Sequence, residues 1–254
     1  MLDQRQKDLM YRFFEEKADF SGDRIRLNKE NSHHLTKVLR IGENEDFELV
    51  IASRVYTVRA AFIEEGHLYV DVLDERDDDN ESKLKIRVFQ GLPKGDKLEL
   101  IIQKVIELGA YEVIAFESER TVVKWDNKKA VKKLERYGEI AQAAAKQAKR
   151  GFIPKVRGLL SFDQLLEEVS KGFTVLAYEN YGTALSTALA DHSGEYINIV
   201  IGPEGGFSEK EVERLRDKGA KTVHLGKRIM RTETCAIALT AILQYELGDL
   251  DEKI

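Results

Sequence analysis

The chain has 254 residues, enough for one large domain or two smaller ones, and with 43% hydrophobic and 33% charged residues it is an ordinary soluble globular sequence able to bury a core. Its formal net charge of −5 announces no nucleic-acid partner, and its one cysteine, Cys235, excludes an internal disulfide. No CxxC or His/Cys cluster is present, so no structural zinc site or other metal is expected. Met1 to Met10 is charged throughout, which predicts no signal peptide, and no apolar run is long enough to span a bilayer. The expected location is the cytoplasm.

Residues 1–9 read as a flexible extension. Met10-Tyr11-Arg12-Phe13-Phe14 follows, where Arg12 is either a surface residue of a short edge strand or an RNA contact. Arg24–Leu27 alternates as a strand does. Asn31 or Ser32 is expected to cap a short helix through Arg40, with Leu35, Val38 and Leu39 as its apolar face. His33, Lys37 and Arg40 then share the opposite face, which is a basic binding face or a solvated one. Three β-like runs, Phe47–Ile51, Arg54–Arg59 and His67–Val72, are separated by turn signals at Ala52-Ser53 and Glu64-Glu65-Gly66. The first 73 residues thus read as a small β-rich domain, a barrel with one helix. The acidic, apolar-free residues 74–82 read as a linker.

From Lys83 onward, to residue 254, strand-like and helix-like runs alternate. Strands are expected at Leu84–Phe89, Tyr111–Phe116, Phe173–Ala177, Tyr196–Ile201 and Thr222–Leu225. Helices are expected at Lys94–Leu108, Lys128–Arg150, Thr183–Ala190, Glu209–Lys218 and Thr232–Leu247. This alternation predicts an α/β fold with a mainly parallel sheet covered on both faces. Ligands of such sheets bind at the carboxyl ends of the strands.

Three strand ends carry unusual residues. Leu176-Ala177-Tyr178-Glu179 is the first. The second, Ile201-Gly202-Pro203-Glu204-Gly205-Gly206, breaks a β-branched run with glycines that admit positive φ and leave room for a ligand against the backbone. Ser208 and Glu211 have capping-box spacing, so a helix starts there and its backbone N–H groups are positioned to meet a ligand. The third, Leu225–Thr234, leads into a helix expected to be capped by Thr232 or Thr234, with Arg231 just before it, where the macrodipole disfavours a cation. Charge is uneven too: residues 83–150 hold sixteen Lys and Arg against nine Asp and Glu, a balance suited to phosphates but also common on solvated helices.

Several motifs now coincide. RFF at Arg12–Phe14 precedes HHLTKVLR at His33–Arg40, GLPKGDKLELIIQKVIELGA at Gly91–Ala110 and SERTVVK at Ser118–Lys124. AKQAKR at Ala145–Arg150, IGPEGGFS at Ile201–Ser208 and LGKRIMRTETCAIAL at Leu225–Leu239 complete the set. In this order, from about Met10 to Leu250, they resemble the bacterial 16S ribosomal RNA (uracil-N3)-methyltransferase family of the SPOUT superfamily. AKQAKR is more basic than that family's usual residues at this place.

The resemblance implies a PUA-like RNA-binding barrel over residues 1–73 and, over residues 83–254, a SPOUT domain whose parallel sheet ends in a deep C-terminal trefoil knot. It implies S-adenosylmethionine as cofactor, held by Leu176, Ala177, Tyr178, Glu179, Ile201, Gly202, Pro203, Gly205 and Gly206. Leu225, Gly226, Ile229, Met230, Arg231, Thr232, Thr234 and Ala236 complete the implied cofactor set. It implies a homodimer and, as partner, 16S rRNA in the assembled small subunit, methylated at N3 of one uridine near the decoding site. Arg12, His33, Lys37, Arg40, Lys94, Arg120, Lys146 and Arg150 would contact RNA. Arg231 would stabilise the uridine anion, and the base would be Glu204 or solvent. Cys235 reads as a packing residue rather than a nucleophile. Two rivals stay open: a SPOUT enzyme acting on a 2′-hydroxyl or another base, and a non-catalytic RNA-binding protein.

Overall fold

The computed structural model describes residues 10–17, 19–42 and 44–251. The expected extension over residues 1–9 lies outside them. The chain divides into two compact units. One gathers the residues up to Glu81 with Ala145–Ile153, the other Ser82–Ala144 with Pro154–Ile254.

The first unit is a six-stranded sheet in the order β1-β4-β5-β6-β3-β2. Its strands are β1 (Arg12–Phe14), β2 (Phe20–Ser21), β3 (Arg24–Arg26), β4 (Asp46–Ile51), β5 (Arg54–Glu64) and β6 (His67–Asp77). β1 and β4 pair in parallel; every other pair is antiparallel. The two expected turns are two-residue hairpin loops, Ala52-Ser53 at φ 49° and 64° and Glu65-Gly66 at φ 50° and 81°. Positive φ at both central residues matches the right-handed twist of the flanking strands. Phe13, Ile25, Phe47, Leu49, Val58 and Val70 share its core.

Three expectations for this unit change. β6 runs through Asp77, four residues into the expected linker. Its acidic side chains answer an arginine of the adjacent strand: Arg54 of β5 pairs with Glu75 and Asp77. Opposite charges across adjacent strands stabilise a pair that has no apolar content to announce it. The helix α1 (Lys29–His33) is capped by Asn28, whose side chain accepts from the Asn31 N–H; Asn31 and Ser32 are buried instead. It continues as a π-helical turn over His34–Leu39, closed by Arg40 at φ 53°. The wider turn rotates Val38 off the expected apolar face, leaving it 59% exposed.

The second unit is a seven-stranded sheet in the order β11-β13-β10-β12-β7-β8-β9, with every pair parallel. In chain order it holds β7 (Lys85–Gly91), α2 (Lys97–Glu107), β8 (Ala110–Phe116), α3 (Asn127–Gln147, of which the residues from Ala145 on belong to the first unit), β9 (Lys155–Leu160), α4 (Phe162–Val169) and β10 (Phe173–Ala177). Then come β11 (Thr183–Ala184), α5 (Leu185–Leu189), β12 (Tyr196–Ile201), α6 (Glu209–Asp217), β13 (Lys221–His224) and α7 (Thr232–Leu247). The long helix ends three residues before the expected Arg150. Lys149 is left-handed at φ 55° and the Arg150 N–H bonds back to the Ala145 carbonyl, a helix-terminating turn. β9 and α4 were not expected. Lys155–Leu160 is half-buried without alternation, although Ser161 opens α4 with a capping box to Gln164. The first two residues of the helix expected over Thr183–Ala190 pair on β13 as an edge strand. Among the described residues no helix is long and apolar enough to cross a membrane.

Candidate functional site

β13, β10 and β12 are adjacent and parallel, so their carboxyl ends open side by side. The loops that leave them line one cavity of about 450 Å³. Ala177, Tyr178 and Glu179 come from the end of β10; Ile201, Gly202, Pro203, Glu204 and Gly206 from the end of β12. Leu225, Gly226, Ile229, Met230, Arg231 and Thr232 come from the segment between β13 and α7. Four expected members stand outside the lining. Leu176 and Ala236 are buried, Gly205 packs against Arg120, and Thr234 is exposed. Leu176 lies within its strand, Thr234 sits in the first turn of α7 with its side chain outside the lining, and Ala236 lies beyond that turn.

The loop after β12 is built as its residues require. Gly206 sits at φ 66°, and an added Cβ there would meet Glu179 Oε1 at 3.0 Å. Phe207 drops into the core, stacked parallel to Phe116. Ser208 then opens α6 with the expected capping box to Glu211. Gly91, at the end of β7, packs directly against this loop: an added Cβ would lie 2.5 Å from Pro203 Cδ and 2.6 Å from its backbone N.

A buried relay holds the start of α7 against this loop. Gln90 Nε2 donates to Thr232 Oγ1 at 2.8 Å, and that hydroxyl donates to the Gly202 carbonyl at 2.6 Å. Thr232 is thus the first residue of α7 rather than its cap. Arg231 occupies the cap position and no side chain caps the helix. Gln90 is wholly buried and 142 residues from Thr232, so no local spacing signals it.

Lys97, from α2, lines the cavity and pairs with Glu204 at 2.9 Å and Glu233 at 3.5 Å. It joins the second loop to the first turn of α7, a role its place in GLPKGDK did not disclose. Glu204 also accepts from the Lys94 N–H. Burial works to raise the Glu204 carboxyl, but the bond from Lys97, with two backbone N–H groups, outweighs it and holds the group below the usual range. A depressed, doubly engaged carboxylate is a poor proton acceptor. Glu204 therefore anchors its loop, and of the two expected proton acceptors, Glu204 and solvent, this engagement favours solvent. Cys235 also faces the cavity. Burial, then the charge of Glu179, pushes its thiol up to about 11, so it stays protonated and packs. Val223, His224, Lys227 and Arg228 line the cavity as well; the expectations did not include them.

Arg231 differs from these. It lines the cavity and is exposed, and among the described residues no hydrogen bond or ion pair engages its side chain. A guanidinium beside the positive end of a 16-residue helix has no local stabilisation there.

The residues expected to touch RNA divide. Arg12 is buried: parallel pairing sets it opposite Glu48, and it bonds Glu48 and Asp78, both at 2.9 Å, and the carbonyls of Lys149 and Arg150. Burial raises Asp78. Glu48 is also raised by burial, but Arg12, Lys149 and Arg76 outweigh that and lower it. Arg150 is buried and holds Glu81 through two bonds of 2.8 Å. Lys146 is half-buried with its ammonium 4.3 Å from the centre of the Phe13 ring, and burial lowers its pKa. Arg12 and Arg150 are thus internal ion-pair members, not RNA contacts, because acidic partners distant in sequence claim them. His33, Lys37, Arg40, Lys94 and Arg120 are exposed, with Arg120 donating to the Gly205 carbonyl at 3.1 Å.

Comparison with known proteins agrees with this architecture. The family model described as an RNA methyltransferase domain matches residues 80–244. The ribosomal RNA small subunit methyltransferase E of Bacillus subtilis is 37% identical over 226 residues, 85% of this chain and 88% of that protein. The crystal structure of the Neisseria gonorrhoeae enzyme of that name, bound to S-adenosyl methionine, superposes with a TM-score of 0.83 at 31% identity, covering 95% of this chain and 99% of that one. A Legionella pneumophila protein described as a methyltransferase, with SAM bound, gives 0.84 at 28% identity over 95% and 99% of the two chains. The chain belongs to the RNA methyltransferase family that includes the ribosomal RNA small subunit methyltransferases E.

Proposed function

We propose that this protein uses S-adenosylmethionine to methylate N3 of one uridine of 16S rRNA, near the decoding site of the assembled small subunit, working as a cytoplasmic homodimer. One observation carries the reading: a nucleoside-sized cavity at three parallel strand ends has an unengaged guanidinium, Arg231, in its wall. The cavity fits the cofactor. Its wall at Gly206, φ 66° and with a Cβ there reaching 3.0 Å from Glu179 Oε1, presents backbone without a side chain, and Gly226, at φ 81°, adds another such surface. Leu225, Ile229 and Met230 offer apolar cover for an adenine, and the loop backbones offer its polar edge donors and acceptors.

S-adenosylmethionine, when bound, supplies a methyl group already activated by the adjacent sulfonium. The protein's remaining work is placement and charge stabilisation. Lys97 and the Gln90–Thr232 relay hold the two loops that would seat the cofactor. Arg231 stays protonated and stabilises the negative charge on uracil O2 or O4 as N3 gives up its proton to solvent.

Other parts of the reading have their own support. A SPOUT trefoil knot is in keeping with the strand order β13-β10-β12 and with α7 starting against the Gly202 loop. A PUA-like barrel is in keeping with β1 and β3, far apart in strand order, sharing one core through Phe13 and Ile25. Exposed His33, Lys37 and Arg40 would contribute RNA contacts there, and Lys94 and Arg120 in the second unit. A homodimer is supported by α7, whose apolar residues are not confined to one face and which leaves Ile242, Tyr245 and Leu247 exposed. Calorimetric titration with S-adenosylmethionine should saturate at one cofactor per chain. An absence of binding heat across several temperatures, with the protein folded, would remove the cofactor from the reading.

A further inference from the structure

The basic excess of the middle of the chain is not spread evenly over α3. On one side of this helix Lys133 and Arg136 both pair with Glu99 of α2. On another, Lys128, Val131 and Lys132 follow at helical spacing and are all exposed. Between residues 120 and 132 stand five cations, Arg120, Lys124, Lys128, Lys129 and Lys132, against one acidic residue, Asp126. Asp126 is itself occupied, accepting the Lys129 N–H as the helix begins. Among the described residues no ion pair engages Lys124, Lys128, Lys129 or Lys132. Exposed apolar side chains lie among them, Val122 at 69% and Val131 at 56%. The strip begins behind the cavity-lining loop that follows β12: Arg120 donates to the Gly205 carbonyl, and an added Cβ on Gly205 would come 2.9 Å from Arg120 Cβ.

We infer that Arg120, Lys124, Lys128, Lys129 and Lys132 form a phosphate-binding track that carries the RNA strand flanking the target nucleotide away from the cavity. The inference rests on the RNA substrate proposed above and adds the surface that takes it. A solvated helix face would tolerate these lysines too, but such a face is ordinarily interspersed with acidic partners, as the Glu99 side of α3 is. Repulsion among cations near a helix start costs stability, and RNA phosphates would relieve it by displacing counterions.

The test is a salt titration of RNA binding without cofactor, so its outcome is independent of the cavity reading. Naked small-subunit rRNA is the probe, with wild-type protein and a variant carrying Lys124→Gln, Lys128→Gln, Lys129→Gln and Lys132→Gln. Four lost phosphate contacts should lower the slope of log Kobs against log salt by about 3. A control carrying Lys171→Gln, Arg214→Gln and Lys221→Gln, cations paired with Glu168, Asp163 and Asp191, should keep the wild-type slope, which separates a local track from bulk charge. An unchanged slope in the fourfold variant overturns the inference. So does a variant that binds naked RNA normally but assembled subunits poorly, which would assign the strip to a protein partner.

Discussion

Gly91→Ala should destabilise the fold by about 3 kcal/mol and weaken S-adenosylmethionine binding more than tenfold. The added methyl would stand 2.5 Å from Pro203 Cδ and 2.6 Å from Pro203 N, and 2.9 Å from the Gly202 carbonyl carbon. These are backbone and ring atoms, so no rotamer change relieves the clash, and overpacking of this kind costs about 1–3 kcal/mol where relaxation is limited. The displaced segment is the loop after β12, so the loss appears in ligand affinity as well as in Tm. Gly138→Ala is the matched control. Gly138 lies within α3 with open space around its missing Cβ, and alanine there should stabilise by roughly 0.5–1 kcal/mol. Thermal unfolding and calorimetric titration measure both effects. Wild-type affinity in the Gly91 variant would show that the loop tolerates a shift and that its close packing does not shape the cavity.

Arg231→Ala should lower kcat by roughly 10²–10³, the usual loss when one stabilising donor is removed from a developing anion. Cofactor affinity should change by less than about threefold, because the side chain is assigned to the uridine rather than to the cofactor. Arg231→Lys should recover only part of the rate, since an ammonium lacks the fork that can span a carbonyl edge. Single-turnover rates with small-subunit RNA, read beside calorimetry, separate these roles. A parallel fall in cofactor affinity would move Arg231 from the reacting base to the cofactor.

The features legible in the sequence are those set by local chemistry. Ser208 and Glu211 close the capping box their spacing predicts, and the glycine-bearing loop beside them reaches the cavity. Tyr196–Ile201 and Phe173–Ala177 are strands at the expected bounds because short β-branched runs flanked by polar turns have few alternatives. What escaped depends on distant partners. Arg12 looked available until pairing with β4 set Glu48 beside it, and Arg150 until Glu81 claimed it. Gln90 and Lys97 had no signal at all, since their partners Thr232, Glu204 and Glu233 lie more than 100 residues away. β9 was invisible because Lys155–Leu160 shows neither alternation nor a buried apolar run. The acidic end of β6, residues 74–77, read as a linker because cross-strand charge pairing leaves no hydrophobic trace.

The most direct measurement is nucleoside mass spectrometry of small-subunit RNA from cells lacking this protein, before and after incubation of the assembled subunits with the purified enzyme and S-adenosylmethionine. The account predicts one new 3-methyluridine per subunit, absent with the Arg231→Ala protein. No new methylated nucleoside, or one carrying its methyl on a 2′-hydroxyl or another base, would contradict it.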